Sequence, residues 1–198
     1  MRIMNECKSK GKNQAKRILD AALNCISMKG YANVSMRDIA DEAGVVLSQL
    51  SYYYRNKEGI FKEITKRITE KYLYEIDNIL KRGKCEEEKI SSLIKYFQET
   101  LKNNPNRFKI LFDLTSMSIF SKPIKNLLNS FYDKASEIVQ NNVMNDLIAK
   151  ERFKNYSPKV LSKMLLGTLY GVSAQFVMSD KDENVPDNIF EELRMMFR

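Results

Sequence analysis

The sequence predicts an all-α protein of nine helices, a three-helix head with a helix-turn-helix followed by a six-helix body. Three observations carry that expectation. Apolar residues recur at helical spacing along nearly the whole chain, and no strand-like alternation is sustained anywhere. Glycine and proline are scarce, 7 and 4 in 198 residues, and several of them mark the ends of periodic runs. The composition, 43% hydrophobic and 29% charged, is that of an ordered chain with a real core.

Residues 1–12 read as a mobile arm bearing Arg2, Lys8, Lys10 and Lys12. Such an arm either follows a DNA backbone or minor groove or is a fraying terminus. A first helix is expected from about Asn13, with Leu19, Ala22, Leu23 and Ile26 as its stripe, widened by Ile18 and Cys25, and Gly30 at its end. Tyr31 and Val34 in the next loop would pack under the second and third helices.

In the second helix Met36, Ile39, Ala40 and Ala43 stand at i, i+3, i+4 and i+7. Ser35 precedes them with Asp38 three residues on, a capping box with Asp in the Glu position. Gly44 stands where the stripe ends, and glycine closes a helix in the left-handed conformation at little cost. In the third helix only Leu50 and Tyr54 form an apolar edge. A short helix with so narrow a buried edge suits the major groove of DNA better than a core.

A fourth helix is expected over about Lys57 to Lys81, through Ile60, Phe61, Ile64, Ile68, Tyr72, Ile76 and Ile79. At 1.5 Å per residue it would span about 35 Å, long enough to carry motion from a body to a head. The fifth covers about Glu86 to Lys102, the sixth starts at Pro105, and the seventh runs from near Lys122 to about Lys150. The eighth, with Ser157 as cap and Pro158 at its first position, reaches about Met178, and the ninth follows Pro186. The functional division is expected at residues 1–58 for the head and 59–198 for the body.

Formal charge is +8, and residues 1–60 hold ten Lys/Arg against six Asp/Glu, half of that excess in under a third of the chain. This suits a polyanion-binding head, or it is ordinary solubility charge. Cys7, Cys25 and Cys85 follow no disulfide or zinc spacing and fit a reducing cytoplasm, with Cys25 a small buried hydrophobe. Histidine is absent, which removes Ser-His or Cys-His catalysis and His-ligated metals. No glycine loop that cradles phosphates and no positioned carboxylate pair occurs, so neither an enzyme nor a cofactor or metal is expected. The start is too polar for a signal peptide, and the uncharged run Met164 to Met178 is too short for a bilayer, so it reads as a buried helix.

The segment Ile18 to Phe61 resembles the DNA-binding domain of TetR-type (TetR/AcrR) transcriptional regulators. The matching positions are Gly30-Tyr31, Ser35, Ile39-Ala40, Ala43-Gly44-Val45, Leu50, Tyr53-Tyr54 and Lys57-Glu58, about a quarter of the chain with its flanks. Val46 departs from the family's Ser at the cap of the third helix, and Ser51 replaces a common Tyr. The resemblance implies a homodimeric repressor on a palindromic double-stranded DNA operator, released by a small-molecule effector. It implies that Arg37 reaches a phosphate or base edge and that Leu47, Ser48, Gln49 and Ser51 face the groove. Gln49 is the candidate for a bidentate contact to adenine. Tyr52, Tyr53 and Lys57 would hold phosphates, the alternative being a solvated face.

In the eighth helix Gly167 and Gly171 lie on one face, close-packed either within one subunit or against a second copy. With the resemblance, Leu166, Gly167, Tyr170, Gly171 and Ala174 are expected at a dimer interface. Phe97, Phe108, Phe112, Met117, Phe120, Met164, Tyr170 and Phe176 are expected to line an effector pocket for a lipophilic or aromatic ligand, or else to be simple core. A helical interaction or sensor protein that has lost operator binding is the competing expectation, resting on Val46 and Ser51.

Overall fold

The computed structural model describes residues 2–179 and 187–197, and the side chains of 13–179 and 188–197. Ten α-helices follow one another: α1 (Arg2–Lys29), α2 (Met36–Ala43), α3 (Leu47–Tyr53), α4 (Lys57–Arg82), α5 (Glu86–Asn103), α6 (Asn106–Ser118), α7 (Lys122–Val139), α8 (Asn145–Leu147), α9 (Pro158–Met178) and α10 (Asp187–Met196). A π turn over Gln140–Met144 joins α7 to α8 without a break, so the described residues form nine continuous helical runs and no strand. The all-α expectation holds, with four local corrections.

Helix α1 begins at Arg2 rather than near Asn13, so the expected arm is helical backbone that continues through Gly11. The run from α7 ends at Leu147, three residues before the expected Lys150. Ser157 precedes α9 in extended conformation but makes no side-chain cap, and Pro158 alone marks the start. The uncharged helix is longer than its uncharged run, 21 residues, and only a third of its most apolar 18-residue window is buried. It is long and apolar enough to cross a membrane by length and composition, a test that core helices of soluble proteins also pass.

Two compact units can be distinguished, with divisions that fall inside α4, α6 and α7. The first contains the chain up to Ile68 together with Asp113–Leu127. Its buried apolar residues include Ile18, Ala22 and Ile26 of α1, Ile39, Ala40 and Ala43 of α2, Leu50 of α3, and Ile60, Phe61 and Ile64 of α4. Tyr31 is set edge-on against Phe61, ring centroids 4.0 Å apart, as expected for a residue packing under the motif.

The second unit contains Thr69–Phe112 and the chain from Leu128 onward. Its core joins Leu80, Leu93, Leu101, Val143, Leu147, Leu165, Leu169 and Phe190, all nearly or fully buried. Helix α5 opens with Glu86, Glu87 and Glu88, which favour the positive end of the helix dipole. The π turn is clasped from α5 by Lys89, whose Nζ donates to the Asn142 carbonyl at 2.8 Å.

Candidate nucleic-acid interface

Helix α2 is capped at both ends by groups adjacent in sequence. Ser35 Oγ accepts from the Asp38 amide at 3.1 Å, and Asp38 Oδ2 accepts from the Ser35 amide at 2.8 Å, which completes the capping box. Lys29 Nζ donates to Asp38 Oδ1 at 2.7 Å. The Lys29 contact, with those from Ser35, holds the Asp38 carboxyl well below the usual carboxylate range.

At the other end Gly44 is left-handed, φ 60° and ψ 44°. The Gly44 amide donates to Asp41 O at 3.0 Å and the Val45 amide to Ala40 O at 2.9 Å, the paired bonds of a Schellman motif. The last carbonyl of the helix, that of Ala43, accepts from Arg17 of α1 through Nε at 3.1 Å and Nη2 at 2.6 Å. A Cβ on residue 44 would stand 3.0 Å from Arg17 Nη2, so both conformation and space call for glycine here. Cys25 is buried, with Sγ 3.7 Å from the Asp38 carbonyl, and burial raises its thiol pKa, as for a packed rather than reactive cysteine.

The turn delivers α3 with Val46 in the cap position, extended and without a side-chain cap bond. Leu50 alone is fully buried in this helix. Leu47, Ser48, Gln49, Ser51 and Tyr52 are exposed, Tyr52 at 84%, and Arg37 of α2 is exposed as well. Tyr53 is half-buried, its ring edge-on to that of Tyr52 at 5.3 Å. Tyr54 is also half-buried, and burial raises its hydroxyl pKa. The eight residues expected at DNA thus fall on α2, α3 and the first position of α4, six of them on α3, where all but the half-buried Tyr53 are exposed.

Lys57 has a further attachment that the sequence did not disclose. Its Nζ donates to the Tyr31 carbonyl at 2.6 Å and lies 4.1 Å above the Tyr31 ring. Burial lowers its pKa from the usual lysine value. Arg55, exposed between α3 and α4, was not singled out from the sequence. A lone basic residue just after α3 was the available signal.

The residues expected to line one effector pocket do not form one group. Phe97, Phe108, Phe112 and Tyr170 make a row within the second unit, with successive ring centroids 5.7, 6.4 and 4.9 Å apart. Phe108 is buried, and Phe97, Phe112 and Phe176 pack partly buried against the same core. Met164 is 55% exposed. Met117 and Phe120 belong to the first unit and line a separate cavity of about 390 Å³, Phe120 itself being 88% exposed.

Beside the aromatic row lies a polar cluster that no sequence pattern signalled. Arg107 is paired with Glu75, its guanidinium 4.7 Å from the centre of the Tyr72 ring. Tyr96 Oη donates to Glu75 Oε2 at 2.5 Å, and Tyr72 Oη donates to the Arg107 carbonyl at 3.0 Å. Burial, then the Glu75 carboxylate, raises the Tyr96 hydroxyl far above its ordinary value. Burial would raise Glu75, but the bonds from Tyr96 and Arg107 prevail and lower it. On α9, Gly167 and Gly171 each face open space where a Cβ would project, while Leu166 packs partly on the core and Tyr170 and Ala174 are half-buried.

A short capped helix, a glycine turn and an exposed second helix with one buried leucine define a helix-turn-helix protein. Residues 18–64 match the family model described as bacterial regulatory proteins, tetR family. That segment, about a quarter of the chain, thus has the DNA-binding domain of this family of bacterial transcriptional regulators. It is 28% identical over 116 residues to the HTH-type transcriptional regulator YdgC of Bacillus subtilis (strain 168), 59% of this chain and 58% of that protein. The matched segment therefore spans little more than half the length of that curated relative.

Its fold is shared with the transcriptional regulator FadR of Bacillus subtilis in complex with stearoyl-CoA, TM-score 0.76 and 19% identity, over 92% of this chain and 96% of that one. A TetR transcription regulator from Haloarcula marismortui has TM-score 0.77 and 19% identity, with 94% and 95% covered.

Proposed function

We propose that this regulator is a dimeric repressor that reads a palindromic operator through α3 and is released by a small lipophilic effector. The observation that carries the reading is the α3 surface. Leu50 is its sole fully buried residue, while Leu47, Ser48, Gln49, Ser51 and Tyr52 are left to solvent on a turn locked by Ser35, Gly44 and Arg17. So much rigidity beneath so little burial serves presentation of a surface. In this reading Gln49 reads a base edge, and Arg37, Tyr52, Tyr53 and Lys57 hold phosphates. The working division is a DNA-binding head, 1–58, and a ligand-binding and dimerisation body, 59–198, in a cytoplasmic protein.

The effector class is drawn from two supports. The row Phe97–Phe108–Phe112–Tyr170 offers aromatic walls with Phe176 on the same core. The FadR whose fold this chain shares was solved with stearoyl-CoA. A long acyl chain, free or as a thioester, is the first ligand to try. Dimerisation is supported by α9, apolar yet two-thirds unburied.

A second reading, an interaction protein that has lost operator binding, is favoured by Val46, which leaves α3 without a side-chain cap. Binding-site selection with the purified full chain, followed by release with acyl-CoA of graded length, decides between them. Enrichment of a two-fold symmetric site whose affinity falls steeply with salt supports the repressor. Failure to enrich any sequence leaves the second reading.

A further inference from the structure

The first unit contains a cavity that the operator-reading surface does not use. About 390 Å³ in volume, it is lined by Tyr31 of the α1–α2 loop, Glu58 of α4, Ser116 and Met117 of α6, and Phe120 and Ser121 of the α6–α7 turn. That volume lies in the range of small-molecule sites, roughly 300–1,000 Å³. Two aromatic rings and a thioether supply apolar wall, and two hydroxyls supply polar contact.

Its charge is one-sided. Among the described residues, Glu58 is the sole carboxylate in the lining, and no basic side chain lines it. Ser121 Oγ donates to Glu58 Oε1 at 2.8 Å, which orients the carboxylate and leaves Oε2 available. The adjacent cation, Lys57, is held on the Tyr31 carbonyl at 2.6 Å rather than on Glu58. A second carboxylate, Asp113 Oδ2, accepts from the Tyr31 amide at 3.2 Å and adds to the negative field behind that residue.

We propose that this cavity binds a small organic monocation, its ammonium at Glu58 and its apolar body between Tyr31, Met117 and Phe120. An anion does not suit the charge of this lining. The site is therefore distinct from the aromatic row of the second unit and stands whether or not that row binds an effector. It also bears on the reading head, because Tyr31 follows the glycine that ends α1 and Glu58 lies in the first turn of α4.

The test is titration calorimetry on the full chain without DNA, using 2-phenylethylammonium, with 2-phenylethanol and 3-phenylpropanoate as neutral and anionic counterparts. The cation is expected to bind about fivefold more tightly than the alcohol, and the anion more weakly still. Glu58→Gln should abolish that preference, and Phe120→Ala should weaken cation and alcohol alike. Glu58 and Phe120 are both exposed, so neither change threatens folding, and unchanged thermal melting verifies it. Equal binding of all three probes, no binding of the cation, or a cation preference that survives Glu58→Gln would overturn the site. So would loss of cation binding on Phe97→Leu with Glu58→Gln unaffected, which would move the probe to the aromatic row.

Discussion

The guanidinium of Arg17 closes the carbonyl end of α2 by donating twice to Ala43 O, at 3.1 and 2.6 Å, from 26 residues earlier in the chain. A helix of 8 residues has few internal bonds to hold its last turn, so an outside donor there fixes the angle at which α3 departs. Arg17→Met keeps the aliphatic stem and removes the donors. It should cost about 1.5–3 kcal/mol, the worth of hydrogen bonds to a charged group. Gly44→Ala should cost about 1 kcal/mol or more through its left-handed backbone. Urea unfolding measures both, and an unchanged midpoint for Arg17→Met would mean that the bond holds nothing.

At the opposite end, Ser35→Ala deletes the acceptor for the Asp38 amide. The expected loss is about 1 kcal/mol, with a lower melting temperature and little change in the exposed face of α3. Asp38, held below the ordinary carboxylate range by Lys29 and Ser35, stabilises the head above the unfolded value of about 3.9. That contribution fades as pH falls through its lower folded value. The stability gap between the parent and Ser35→Ala should therefore be full above about pH 4 and narrow below it in a melting series.

Legibility in the sequence depended on distance along the chain. Ser35 with Asp38, and Gly44, signal their roles through neighbours three or four residues away, and the structure realises both. Arg17 on Ala43, Lys57 on Tyr31 and Arg107 on Glu75 join residues 26, 26 and 32 apart, and no periodicity encodes such pairs. Gly11 and Gly30 show the converse limit. Both look like helix breakers, yet α1 runs through the first and ends at the second, where φ is +71°. Aromatic spacing marked Phe97, Phe108 and Phe112 correctly as neighbours in one body, but it could not separate Met117 and Phe120 from them.

On DNA, three substitutions should separate three roles. Gln49→Ala should change base preference at one position of each half-site, by about 1–3 kcal/mol of discrimination. Arg37→Ala should weaken binding on all sequences and lower the salt slope by about 1. Lys57→Met should do something neither of the others does, because its ammonium sits on the Tyr31 carbonyl and ring. It should lower the melting temperature of the free protein as well as weaken binding. Salt-dependent fluorescence anisotropy on a selected operator, beside melting curves, distinguishes the three. A Lys57→Met protein as stable as the parent would reduce that residue to a surface charge.

The Glu75–Arg107 pair governs the body in the same way. Both side chains are about three-quarters shielded, so removing one partner leaves the other poorly solvated. Glu75→Gln should cost about 1–3 kcal/mol at neutral pH. Because the folded pKa of Glu75 lies below the unfolded value of about 4.3, its stabilisation is complete above that value and is lost as pH falls through the folded one. The stability gap between parent and Glu75→Gln should therefore be constant from pH 5 to 7 and shrink below about pH 4. A gap that widens with acid would reverse the assigned direction.

On α9, Val160, Met164, Gly167, Gly171, Ala174 and Met178 succeed one another at intervals of 4, 3, 4, 3 and 4, the spacing of a helix–helix seam. Val160, Met164 and Met178 are 51%, 55% and 72% exposed, and a Cβ at either glycine would meet nothing within 4 Å. In the proposed dimer a second helix would lie along this seam, at the shallow crossing of about 20° that such spacing favours. A second copy supplies the same seam in a two-fold arrangement. Gly171→Arg sets a long cation into the flat centre, and open space around it in the monomer lets the subunit fold unchanged. The variant should therefore run as a monomer by light scattering with parental helicity, and it should lose the palindromic operator while keeping weak, salt-sensitive binding to a half-site. Gly171→Ala, one methyl larger, should remain dimeric at micromolar concentration. If Gly171→Arg stays a dimer with unchanged dissociation on dilution, the seam on α9 is not the contact between copies.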